Sequence, residues 1–328
     1  EGDARVCADA LMQSELRYHP GQGQGVRRLG SYDERIRLGR VAVDAPFEVL
    51  KESPALALVD AHNGLGSVAG RKAMELACDK AAVCGVGTVV VRGSTHYGSS
   101  SVHALVALER GYVGVAFTNA GPEMAAWGGR TAVVGTNPWG IAAPTGADFP
   151  VVLDIALTTA GKGMMRFLAE RGERMPTDWA LTPDGLETDA PAAAMAGALL
   201  GIGQYKGFGL AFMTDVLTGV IAGGAFGLTP YRDPGKMDVS HTFIAFDPGW
   251  FGPVEAFHAR MQAFMAEIKG SAVRPGFTEV LLPGELEHRR ETEKRAHGVP
   301  LPRGDVAALG ELAGRLGVDA SCLTGTTA

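Results

Sequence analysis

Hydrophobic and polar positions along the chain switch between a helical period and a strand period, and that switching predicts an α/β protein. Residues 3–18 carry a helical pattern that His19-Pro20-Gly21 stops. A glycine-rich turn over 21–25 and the run Val26-Arg27-Arg28-Leu29 lead into a short charged helix over 32–38. Residues 54–60 read as a strand. Residues 66–86 read as a long amphipathic helix, with Ala69, Ala73, Leu76, Ala77 and Ala81 on its apolar side. The β-branched run Thr88 to Val91 centres a buried strand over 86–92. A turn, a helix over 101–110 and a strand over 113–119 follow. Helix and strand in such alternation build a layered sheet.

The centre, 121–148, reads as rich in loops, ahead of a strand over 151–155 and a polar excursion over 172–189. Helices are expected over 191–200, 206–222, 253–269, 285–297 and 305–316, and strands over 241–247 and 277–282. In the helix over 253–269, Phe257, Met261, Phe264, Met265 and Ile268 should face the core. The apolar stretch 207–227 is broken by glycines and contains Asp215. It is therefore expected as a buried helix and not as a membrane span.

Composition narrows the class. With 328 residues, 46% hydrophobic and 20% charged, the chain reads as a soluble globular protein of two domains, or of one with a large insertion. Its 46 glycines are dispersed, which implies tight turns and close backbone approaches. A formal charge of −6 argues against nucleic acid or an anionic membrane as the main partner. Cys7, Cys78, Cys84 and Cys322 form no CxxC pair, and no signal peptide is read at the start, so reduced thiols in a cytoplasmic protein are expected.

The candidate chemistry centres on Arg92-Gly93-Ser94-Thr95-His96-Tyr97-Gly98. A histidine just past the carboxyl end of a parallel strand stands at the mouth of an α/β sheet, where ligands bind and a group titrating near neutrality can exchange a proton. Alone, it reads first as a loop cap; the segments that accompany it further along the chain shift the balance. The dinucleotide fingerprint GxGxxG is missing, since Gly207-Phe208-Gly209 lacks a third glycine. There is no P-loop, HExxH, GxSxG or EF-hand pattern, and the histidines at 19, 62, 96, 103 and 241 share no ligand spacing, so no metal is expected.

Three segments suit anions. Arg28 offers a planar fork for a carboxylate, or a surface ion pair. Tyr205-Lys206-Gly207 opens a helix whose free amides and lysine favour phosphate. Gly135-Thr136-Asn137-Pro138 presents a hydroxyl in a tight turn, or serves the turn alone.

Read together, these segments resemble one family, the type 2 malate/L-lactate dehydrogenases. Their relatives include ureidoglycolate and sulfolactate dehydrogenases, diketogulonate reductase and the cyclic-ketimine reductases. The resemblance covers nearly the whole chain. It runs through Val26-Arg27-Arg28-Leu29, Asn63-Gly64-Leu65-Gly66 and Ser94-Thr95-His96-Tyr97-Gly98. It continues through Trp127-Gly128-Gly129, Gly135-Thr136-Asn137-Pro138, Leu153-Asp154-Ile155-Ala156, Tyr205-Lys206-Gly207-Phe208-Gly209 and Pro283-Gly284-Glu285.

It implies a non-Rossmann α/β fold, a mixed sheet with flanking helices. The expected division is a substrate and dimerisation part, 1–115 with 230–328, and a cofactor-binding part, 116–229. It implies NADH or NADPH as cofactor, a small carboxylate substrate, and a homodimer with the site near the subunit contact. Carried over position by position, His96 handles the proton, Arg28 holds the carboxylate and Thr136 lies beside the substrate. Asn119, Ala120, Asp154, Ala156, Thr158, Thr159, Lys206, Gly284 and Glu285 fall in cofactor-contacting segments. Lys162, Arg166 and Arg171 are candidates for the extra phosphate of NADPH.

One position departs from the pattern. Where the family carries an acid/base histidine in Ser-His-Gly-Val, this chain reads Gly23-Gln24-Gly25-Val26. Glutamine hydrogen-bonds but gives up no proton as an acid. Three consequences stand open: His96 works alone with Gln24 orienting the substrate, His19 swings in, or the substrate needs less acid help. An iminium that arrives protonated fits the last. The expected activity is therefore hydride transfer to the carbon α to a carboxylate, leaning to cyclic imino acid reduction in a specialised pathway. A 2-oxo/2-hydroxy acid dehydrogenase and a catalytically idle nucleotide-binding relative are the alternatives.

Overall fold

A computed structural model describes residues 2–324. The strands are β1 (Glu48–Glu52), β2 (Leu56–Asp60), β3 (Val86–Ser94), β4 (Val113–Thr118), β5 (Met124–Ala125) and β6 (Ala132–Val134), followed by β7 (Trp139–Ala143), β8 (Val151–Ile155), β9 (Ala180–Leu181), β10 (Ala198–Leu199) and β11 (Val239–Phe246). Seven of them form one sheet in the order β1-β2-β3-β11-β4-β7-β8, and a smaller sheet runs β6-β5-β10-β9. In the large sheet only β2 and β3 are parallel; the other neighbours are antiparallel. The fold is thus the expected mixed α/β architecture.

The helices are α1 (Gly2–Arg17), α2 (Leu29–Arg37), α3 (Gly66–Cys84), α4 (Ser100–Leu108), α5 (Lys162–Glu170) and α6 (Pro191–Ala196), then α7 (Tyr205–Asp215), α8 (Val254–Lys269), α9 (Glu285–His297) and α10 (Arg303–Leu316). The parallel pair β2/β3 needs a crossover, and α3 supplies it. Ala73, Ala77 and Ala81 of α3 are fully buried against Val89, Val91 and Phe243. Small side chains let α3 sit very low on β3. A Cβ built on Gly87 would fall 2.0 Å from the Ala77 carbonyl, so that strand position has to be glycine. Each valine sealed in this layer contributes on the order of 1.5–3 kcal/mol.

Several expectations need correction. The stretch 277–282 forms no strand, and helix 191–200 ends at Ala196, after which Ala198–Leu199 pairs with β5 and β9. Helix α8 has no buried residue, and Phe264 is 58% exposed. It leans on loop 145–146 through Gln262 rather than on the sheet. Helix α7 is buried on one side only. Gly207, Ala211, Thr214 and Asp215 face inward, while Phe212 and Met213 are about half exposed, as are Val220 and Ile221 in the π-helical turn that follows. Among the described residues, no helix is long and apolar enough to cross a membrane.

Candidate active site

The walls of one cleft come from five parts of the chain. The turn 23–28 and helix α2 give Gln24, Arg28 and Arg35. The loop after β3 gives His96 to Gly98, the segment after β4 gives Thr118 to Glu123, and Thr136, Pro138, Tyr231 and Val239 complete a cavity of about 400 Å³. His96, Gln24, Arg28, Thr136, Asn119 and Ala120 are therefore brought together from up to 112 residues apart.

The loop bearing His96 is held from below. Thr95 Oγ1 donates to the Gly64 carbonyl and accepts from the Gly66 amide at the start of α3. No side chain fits between them, because a Cβ on Gly66 would meet the Thr95 and His96 carbonyl oxygens at 2.3 and 2.6 Å. Tyr97 is sandwiched between two imidazoles, His103 at 4.4 Å and His241 at 4.6 Å between ring centroids. His241 lies between Thr118 Oγ1 at 2.7 Å and Ser94 Oγ at 2.8 Å. The Thr118 hydroxyl gives its one proton to a backbone carbonyl, so His241 Nδ1–H donates to it and Nε2 accepts from Ser94.

His96 itself meets the Tyr32 hydroxyl at Nδ1, 2.9 Å away. Its Nε2 has no partner among the described residues. Burial, and then the charges of Arg28 and Arg35, push its pKa well below the usual imidazole range, so the ring is neutral at physiological pH.

Arg28 closes the short turn Val26–Arg28 and is anchored by Nε donating to the Gly23 carbonyl at 2.7 Å. The turn is pinned in its turn by Glu15, whose carboxylate accepts from the Val26 amide. The rest of the Arg28 fork is uncommitted, and neither Arg28 nor Arg35 has an acidic partner within 4.0 Å among the described residues. Gln24 Oε1 is buried without a hydrogen-bond partner. Buried polar atoms are nearly always paired, so this acceptor is one a ligand can satisfy.

The remaining expected residues sort into two groups. Thr136 links the cleft to the segment after β8, its carbonyl accepting from the Leu157 amide, and there Thr158 bridges Gly201. Ala156 is half-buried there, Thr159 donates to the Gly201 carbonyl, and Lys206 is exposed at the start of α7. Thr158 Oγ1 is buried with no hydrogen-bond partner among the described residues.

Asp154, Gly284 and Glu285 lie apart from the cleft. The Asp154 carboxylate accepts from the Ser101 amide at 3.0 Å and hydroxyl at 2.6 Å, capping the first turn of α4. Glu285 accepts from Lys269, Arg289 and the Leu282 amide, and Gly284 presses on Val152. His19 is also outside the cleft. It caps its own turn by accepting from Gly21 and packs on Phe167, with no contact to the cleft in this structure. Arg171 is tied to Glu173.

Sequence reasoning missed Tyr32, Arg35, Glu123 and Tyr231. The first two had a signal, since Arg28, Tyr32 and Arg35 follow the i, i+4, i+7 spacing of one helix face. Glu123 and Tyr231 sit in irregular segments and had none.

A mixed sheet without the dinucleotide fingerprint here places an imidazole and a free guanidinium in one cleft, an arrangement suited to handling a proton beside a carboxylate. The description "Malate/L-lactate dehydrogenase" matches residues 1–310, and the chain belongs to that family. It is 34% identical to the malate dehydrogenase of Pyrococcus horikoshii over 97% of this chain and 90% of that one, and the two structures superpose with a TM-score of 0.88. The L-sulfolactate dehydrogenase of Methanocaldococcus jannaschii is 33% identical over 97% of this chain and 92% of its own, with a TM-score of 0.89. The structure of delta1-piperideine-2-carboxylate reductase from Pseudomonas syringae covers 95% of this chain and 92% of its own, at 27% identity and a TM-score of 0.84. The chain is an NAD(P)-dependent dehydrogenase or reductase.

Proposed function

We propose that this enzyme reduces a cyclic imino acid, adding hydride to the ring carbon that bears the carboxylate. The carrying observation is Gln24, a partnerless buried acceptor at the position where the resemblance leads one to expect an acid/base histidine. An iminium N–H donates to such an acceptor; the carbonyl of a 2-oxo acid has no proton to give it. The neutral state of His96 points the same way, because a ketone needs a proton as hydride arrives and an iminium does not.

In this reading Arg28 grips the carboxylate with its free fork, and Gln24 orients the nitrogen. His96, aimed by Tyr32, packs against the reacting atoms through Nε2, and Thr136 closes the other side. Asn119, Ala120, Ala156, Thr158, Thr159 and Lys206 would hold NADH or NADPH, whose contribution is the hydride. Lys162 and Arg166, near enough to act on Glu123, are the cations available to an additional phosphate. Asp154, Gly284 and Glu285 serve the segment after β8 from behind. The half-exposed apolar face of α7 would be covered in a homodimer, in the cytoplasm.

A second reading draws on Arg35, a further unpaired guanidinium in the cleft, which suits the distal acid group of a dianionic 2-oxo or 2-hydroxy acid. An assay with piperideine-2-carboxylate, pyruvate and oxaloacetate, each with both cofactors and followed by nicotinamide absorbance, separates the two. The imine is expected to be the best substrate. Faster turnover of a 2-oxo acid that survives Gln24→Ala overturns the imine reading.

A further inference from the structure

Glu123 stands on the wall of the cleft that holds Gln24, His96 and Arg28. Its backbone is fixed, the amide donating to Val134 and the carbonyl accepting from Leu199, so the position just before β5 is held between β6 and β10 and does not drift. Its carboxylate is half-buried, and no hydrogen bond or ion pair within 4.0 Å engages it among the described residues, although Arg28, Lys162 and Arg166 lie near enough to influence it. A carboxylate surrounded by cations yet bonded to none of them resembles the two guanidiniums opposite, which are also unspent. A cleft meant for a purely anionic substrate gains nothing from this group, since it repels the very charge that Arg28 attracts.

We propose that Glu123 is a substrate-binding residue, the counter-charge for the protonated nitrogen of a zwitterionic cyclic imino acid whose carboxylate lies on Arg28. This rests on the imine reading above and names what that reading lacked, the group that makes the cleft prefer a cation beside the acid. Burial raises the Glu123 pKa against the pull of the three cations, and an iminium docking beside it would favour the charged form again. Hydride addition to the iminium carbon moves the C=N electron pair onto nitrogen. The product amine is neutral at the instant of transfer, so no proton donor is consumed. Glu123 therefore acts on binding and on charge, and His96 and Gln24 keep their places.

The test is Glu123→Gln, which keeps the shape and removes the charge. The readout is the ratio of kcat/KM for piperideine-2-carboxylate to that for pyruvate at pH 7. Gln24 takes the single iminium N–H, so Glu123 acts through space; a unit counter-charge about 8 Å away at an effective dielectric near ~20 is worth roughly 30-fold, and pyruvate binding gains from losing a like charge, so the ratio is expected to fall about 30-fold or more. A ratio that stays within about threefold of wild type, including a parallel loss on both substrates as an acid or a structural prop would give, overturns the assignment while the imine reading stands. A wild-type enzyme that leaves the imine untouched overturns both, and that result is read before any substitution is made. Circular dichroism and NAD(P)H binding report whether the variant is folded.

Discussion

Replacing Arg28 tests the substrate clamp in a way the geometry makes quantitative. Nε is spent on the Gly23 carbonyl, so the two terminal nitrogens remain for a carboxylate, and no acid competes for them within 4.0 Å among the described residues. Each charge-assisted bond is worth about 1.5–3 kcal/mol, the lower half applying to a cleft open to water. Arg28→Lys keeps the charge but loses the fork and one bond, so kcat/KM should fall roughly 10- to 100-fold. Arg28→Ala loses both, and the fall should exceed about 100-fold. The grip is present before and during hydride transfer, so the loss should fall mainly on KM. Steady-state kinetics on the acid substrate and on its methyl ester make the comparison. If Arg28→Ala weakens acid and ester alike, or weakens neither by more than about fivefold, the guanidinium does not hold the carboxylate.

Other outcomes follow from features away from the clamp. Gly66→Ala puts a methyl group against the Thr95 and His96 carbonyls, which should cost about 1–3 kcal/mol by thermal melting and lower kcat as the His96 loop shifts; unchanged values of both would refute the close approach. His241 is buried, with its pKa lowered to about 3, whereas in the unfolded chain it titrates near 6.5. Unfolding therefore takes up a proton below about pH 6.5, and its stabilising effect is lost as pH falls through that window. Between pH 7 and pH 5 the wild type should lose about 2 kcal/mol more stability than His241→Asn in parallel denaturant titrations, and equal losses would contradict the buried neutral ring. In the homodimer proposed above, Phe212→Glu on the open face of α7 should lower the mass seen by sedimentation from dimer to monomer, and an unchanged mass would overturn the proposed contact at α7.

How much of this was legible in the sequence depends on whether burial was local. The strand over 86–92 and the helix over 66–86 announced themselves because one face of each is sealed in the same layer, which writes a clean period into the chain. Strand β1 has every residue exposed and therefore no alternation to read. Helix α8 misled for the opposite reason, since an apolar stripe says that something covers it but not that the sheet does. In the site, His96 and Arg28 could be named from their flanking turns and the family pattern. Asp154 fell in a matching segment too, yet its carboxylate was already taken by Ser101, a tertiary contact across 53 residues that no local pattern records. Glu123 was invisible because nothing about an isolated acid in a loop marks it as unpaired.

The ring sandwich of His103, Tyr97 and His241 beneath the His96 loop leaves that imidazole little room to be re-aimed. New specificities in a scaffold of this kind must then arise along the margin, where Gln24 stands on a turn, Arg35 near a helix end and Glu123 just before a short strand. The reaction's foundation would be inherited unchanged, while the choice of molecule is rewritten one rim residue at a time.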